Sequence, residues 1–135
     1  MKIPTWMATA LVALAMFSLP SDSPADPLQD CADQAADRAD YTACLARRQR
    51  QAIRRLDAAR EAAMAVAGTR GQEAVTSLEA AEAAFDDFVE AGCEARTHLG
   101  GREIGAEDLR RDCAIRLIEE HADDLEAIVS EIGPE

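Results

Sequence analysis

Four cysteines, Cys31, Cys44, Cys93 and Cys113, lie along a chain that opens with an apolar segment. An even cysteine count behind an export signal reads as a disulfide framework, because thiols are oxidised outside the cytoplasm. Met7 to Leu19 is uncharged and almost wholly apolar, follows Lys2, and is broken at Pro20. That run falls short of the roughly 20 apolar residues a spanning helix needs, and it suits the apolar part of a secretory signal. Ser23 and Ala25 place small residues where a signal peptidase reads, so cleavage is expected after Ala25, with Ser21 as the second choice. Residues 1–25 are therefore assigned to a signal peptide and residues 26–135 to a single domain. No cysteine lies near either cut, which argues against a lipid-anchored terminus. The expected location is periplasmic or secreted, with no stable membrane insertion after cleavage.

Lys2 and Asp22 cancel, so the part after residue 25 keeps the formal net charge of −12. Such a charge repels phosphate and weighs against nucleic acid as a partner. It is compatible with a basic partner drawn in by electrostatic steering, although solubility is the plainer reading. The apolar content is mostly alanine, and Tyr41, Phe85 and Phe88 are the only aromatics after residue 25. A core this modest gains from disulfides, at ~2–4 kcal/mol each.

Alternating runs of Val, Ile, Thr and aromatics are missing, so strands are not expected. Helical spacing occurs three times. Leu45, Ala52, Leu56, Ala59, Ala63 and Val66 make one stripe, closed by Gly68 and Gly71. Val75, Leu78, Ala81, Phe85, Phe88 and Gly92 make a second, followed by Gly100, Gly101 and Gly105. Leu109, Cys113, Leu117, Leu125, Ile128 and Ile132 make a third, with Glu107 and Asp108 in its first turn and Gly133-Pro134 as its stop. Short connections make successive helices antiparallel neighbours. The expected fold is all-α: a small disulfide-stapled three-helix bundle, up-down-up, with a short extra N-terminal helix.

In that arrangement Cys44, Cys93 and Cys113 fall at the same end, and Cys31 can reach it. One straight helix from Cys31 to Cys44 would hold the two roughly 20 Å apart, beyond disulfide reach. A Cys31–Cys44 bond therefore needs a break. Asp37 is the natural place for it, capping a new helix with Asp40 three residues on, while Asp26-Pro27 starts a short helix before it. The local pairs Cys31–Cys44 and Cys93–Cys113 are favoured, and all three connectivities are geometrically allowed.

A cysteine, a capped helix start and a second cysteine (Cys31, Asp37, Asp40, Cys44) are followed by a run from Leu78 through Phe85 to Cys93. A Gly100-Gly101 turn and a fourth cysteine on a final helix complete the order. Over about residues 31–125 this resembles the LprI-type lysozyme inhibitor family of exported bacterial proteins. Phe85 and Val89 stand where the family usually has Trp and Arg. Arg102 replaces a frequent Ser, and Ile118 and His121 replace Thr and Arg, while Asp124-Leu125 keeps acid-then-leucine. The resemblance implies an exported binding module that inhibits a basic lysozyme, not an enzyme. The alternative is an envelope protein of structural or stress-related role with no enzyme target.

His98 and His121 are too few for a catalytic or metal cluster unless cysteines join them. No two cysteines have the close spacing of a zinc ligand pair, so neither metal nor cofactor is expected. His121 lies on or beside the third stripe and reads as a packing residue. Arg47, Arg48, Arg50, Arg54 and Arg55 are expected to pair with Glu79, Glu82, Asp86, Asp87 and Glu90 of the second helix. Glu119, Glu120, Asp123, Asp124 and Glu126 read as a solvated face. The segment Thr97 to Gly105 is the candidate contact surface. It is glycine-rich, flanked by Cys93 and Cys113, and carries His98, Arg102 and Glu103. A lysozyme cleft holds an acid pair that Arg102 or His98 could meet, with the acidic body facing a basic enzyme. The plainer reading is a connector between helices.

Overall fold

The computed structural model describes residues 26–100 and 104–133, so the proposed signal peptide and Gly101–Glu103 lie outside the described residues. Four helices follow in order: α1 (Pro27–Gln34), α2 (Arg38–Arg70), α3 (Gln72–Leu99) and α4 (Ala106–Ile132). No strand occurs among the described residues.

Helix starts follow side-chain chemistry. The Asp26 carboxylate accepts from the Leu28 and Gln29 amides, and Pro27 supplies the first turn of α1. The chain then breaks before Asp37, whose carboxylate accepts from the Asp40 amide at 2.9 Å. This break folds α1 back so that Cys31 meets Cys44, with Cα atoms 5.7 Å apart.

α2 and α3 meet at one residue. Gly71 adopts φ 111, a conformation that penalises any side chain, and it ends α2 while starting α3. Gly68, expected to share in that break, lies within α2 because helical bonding continues to Arg70.

Ion pairs report the topology. Arg38 pairs with Asp108, Arg48 with Glu119, and Arg55 with Asp123 and Glu126, so α2 and α4 rise together. Arg60 on α2 meets Glu82 and Asp86 on α3, the register of an antiparallel hairpin. The result is the up-down-up bundle with α1 strapped across one end.

The core differs from the expected stripes in detail. On α2, Leu45, Ala52, Leu56, Ala59 and Ala63 are buried, with Ala67 in place of Val66. On α4 the buried face runs through Ile115, Ile118, Ala122 and Leu125, while Ile128 and Ile132 are exposed. Pitch explains the shift: these buried positions recur every three or four residues from Asp108, and the expected set had strayed onto the flank. α3 contributes only Cys93 as a fully buried residue, with Leu78, Phe85 and Val89 packed against the core. Ala81 and Phe88 face outward, and Glu82 occupies the inward position instead.

The arginines of α2 also pair differently from expectation. Arg48 and Arg55 turn to α4, and Arg48 also reaches Asp30 on α1 at 2.6 Å. Of the acids expected on α3, only Glu82 and Asp86 are paired to α2, through Arg60. Glu119, Asp123 and Glu126 therefore join the helices rather than forming a purely solvated face. Hydrogen bonds from Arg55 to Glu126 and Asp123 hold its guanidinium more firmly protonated than usual. For Arg60, burial opposes the charge, but the bonds to Asp86 and Glu82 outweigh it and raise the pKa.

Candidate functional site

The end of the bundle where α2 begins is fixed by sulfur. Cys31 is bonded to Cys44, and Cys93 to Cys113 across a Cα separation of 5.5 Å. These are the two sequence-local pairs. All four sulfurs are thereby withdrawn from thiolate chemistry, and among the described residues no cluster of three or more His, Cys, Asp or Glu is placed to hold a metal.

The second disulfide closes a loop of sequence separation 20 around the segment 97–105. α3 ends at Gly100, where an added Cβ would stand 2.7 Å from Leu109 Cδ1 and 3.1 Å from the Arg96 carbonyl oxygen. The chain passes so close to α4 there that a side chain would have to push one of them away. The described chain resumes at Ile104, and Gly105 caps the start of α4.

His98 sits in the last turn of α3 with its side chain 76% exposed, its Nε2 at 4.0 Å from Glu94 Oε1. Leu99 beside it is 87% exposed and Ile104 is 41% exposed. Arg102 and Glu103 belong to the segment outside the described residues. Where the loop reaches α4, a shallow cleft of about 470 Å³ opens against the α1–α2 break, lined by Arg38, Tyr41, Ile104, Gly105 and Asp108 among others.

Two carboxylates that sequence reasoning did not place in the core lie beneath this tip. Asp108 and Asp112 are 2% and 1% exposed. Asp108 accepts from Arg38 of α2, and Asp112 accepts from Arg116 Nε on both oxygens, at 3.0 and 3.1 Å. Arg116 also donates to Asp26 at 2.9 Å, so one guanidinium links α4 to the carboxylate that caps α1. The signal was available: Asp108, Asp112 and Ile115 share the inward face of α4 at helical spacing, so the acids needed cationic partners. Tyr41 stands beside this network with Arg38 over its ring at 5.2 Å. Burial, and then the negative charge of Asp108, push its phenol above the ordinary 10.0 against the pull of Arg38.

His121 packs half-buried between α4 and α3. Its ring stacks on Phe85 at 3.9 Å, and Nε2 lies 2.9 Å from Glu82 Oε1. The inward Glu82 is thus held between His121 and Arg60.

The geometry therefore offers a covalently anchored tip with exposed side chains on it, and the buried acids below it serve structure. The family model for the lysozyme inhibitor LprI matches residues 30–125, which spans both disulfides, the loop between them and most of the bundle. The chain belongs to the LprI lysozyme inhibitor family. This is a family of inhibitors rather than enzymes, and the stapled all-α bundle is the frame in which the match lies. No curated protein and no solved structure matches the chain.

Proposed function

We propose that this LprI-family protein is an exported inhibitor of a basic lysozyme, and that the tip formed by residues 97–105 enters the enzyme's cleft. Residues 1–25 would direct it out of the cytoplasm, to the periplasm or the medium, and be removed. No helix among the described residues is long and apolar enough to cross a membrane.

The observation that carries this reading is the projection of His98 and Leu99 from a tip bounded by the Cys93–Cys113 bond. A loop whose ends are already fixed loses less freedom on binding, so more of its contact energy appears as affinity. His98 and Arg102 would approach the acid pair of a glycosidase cleft. The net charge of −12 would speed the encounter with a cationic enzyme, and that contribution weakens with salt.

Titration of the oxidised protein into a lysis assay with c-, g- and i-type lysozymes tests this. Inhibition of at least one class at micromolar protein is expected, with loss of inhibition in His98→Ala/Arg102→Ala at unchanged helical circular dichroism. Absence of inhibition in all three classes would leave the tip a mere connector.

A further inference from the structure

α3 carries a second apolar stripe besides the one it turns to the core. Ala84, Phe88, Ala91, Ala95 and Leu99 recur at steps of four, three, four and four, and every one of them is exposed. Phe88 is 58% exposed and Leu99 87%. The Phe88 ring lies along its own helix over Gly92, where an added Cβ would come within 3.9 Å of it. The opposite face of α3, through Leu78, Phe85, Val89 and Cys93, already packs on the core, so the outer stripe is left without a partner among the described residues. An exposed aromatic set among small residues on one strip is the composition of an interface rather than of a solvated helix face.

The surroundings say what would cover it. Asp87, Glu90 and Glu94 lie along one edge of the strip by helical register. None of them pairs with an arginine among the described residues, in contrast to Glu82 and Asp86. An apolar strip edged by carboxylates that no arginine among the described residues neutralises suits a cationic protein surface. At Leu99 the strip runs directly into the tip described above, so one partner could contact both.

We infer that the outer face of α3, anchored by Phe88 and Leu99, is the second arm of the surface that binds the basic enzyme. This rests on the reading of the tip as an inhibitor of a basic lysozyme. The tip would fill the cleft, and the strip would lie on the enzyme's rim, with Phe88 giving contact area and Asp87 and Glu94 facing its cations.

The test uses the full oxidised protein carrying Phe88→Ser/Ala95→Ser, which leaves the tip residues 97–105 untouched, compared with wild type in the lysozyme titration. At least about tenfold weaker inhibition is expected, as for truncated interface anchors, with an unchanged melting temperature because both side chains are exposed. Phe88→Ala alone serves if the double variant misfolds, with a smaller loss in the same direction. Asp87→Asn/Glu94→Gln should flatten the salt dependence of inhibition. Wild-type inhibition by the double variant, with the tip variant inactive, would overturn the strip and leave the tip standing. A wild-type dimer that Phe88→Ser dissociates would assign the strip to a second copy of this chain instead. Failure of the wild type against every lysozyme would remove both readings together.

Discussion

Where α2 begins, Leu45 and Ile115 are sealed from solvent between two disulfides, and the carboxylates of Asp108 and Asp112 are buried against arginines. At the opposite end, beside Gly71, the same helices meet through Ala63, Ala67, Leu125 and Val129 around an open apolar groove of about 340 Å³. Among the described residues only Arg70 crosses there by hydrogen bond, donating to the Ile132 carbonyl at 3.1 Å. The contrast shows how a chain with few large apolar residues distributes its order. Small alanines let long helices approach closely but bury little area each, whereas crosslinks limit the unfolded chain without needing bulk. The ordered end is also the end that holds the proposed contact loop.

Removing the crosslinks should abolish that contrast most strongly. Each disulfide is worth roughly 3 kcal/mol by loop-closure entropy for these separations. Cys93→Ser/Cys113→Ser should therefore lower the melting temperature by roughly 10–20 °C, and reduction, which breaks both bonds, should lower it further. Calorimetry of the Cys31→Ser/Cys44→Ser variant should show a similar fall, together with faster amide exchange in α1.

Arg38→Ala comes next. Its own side chain is 69% exposed, yet it leaves the Asp108 carboxylate buried without that partner. A loss of about 1–3 kcal/mol is expected. Asp108→Asn should cost less, because it strands only an exposed guanidinium. Equal losses in chemical denaturation would show that the pair is not the constraint it is taken for.

At the alanine end, Gly71→Ala forces a side chain into positive φ and should cost about 1 kcal/mol. Gly68→Ala should stabilise, because Gly68 is helical and an added Cβ meets nothing within 4 Å. Opposite signs for these neighbouring glycines would place the hinge at one residue.

The smallest effect concerns Tyr41. Its folded pKa is raised above 10.0, so its contribution is full below that pH and is lost as pH rises through the raised value. Tyr41→Phe should remove a small alkaline loss of stability, read as the difference in denaturant midpoint between about pH 8 and about pH 11.

Much of this fold is legible in the chain. Asp26, Asp37, Gly71, Gly100 and Gly105 mark the ends because caps and turns are local chemistry. The helical hairpin follows from spacing along α2. Two things escape local reading. Alanine-rich stripes leave the rotation of a helix loosely specified, since alanine is tolerated inside and out, and so Phe88 and Ala81 were expected inward while Glu82 holds that place. Buried acids are the other. Asp108 looks like a favourable first-turn acid until the fold brings Arg38 from 70 residues away. Of the tip, His98 was identified in sequence and is exposed in the structure, but the apolar strip leading to it needed α3's rotation to be known.

Inhibition of lysozyme by the oxidised protein and by Cys93→Ser/Cys113→Ser, measured side by side well below both melting temperatures, tests the central claim that a sulfur-anchored tip binds the enzyme. The account predicts micromolar inhibition by the oxidised protein and at least about tenfold weaker inhibition by the still helical variant. Equal potency of the two proteins, or no inhibition by either, would contradict it.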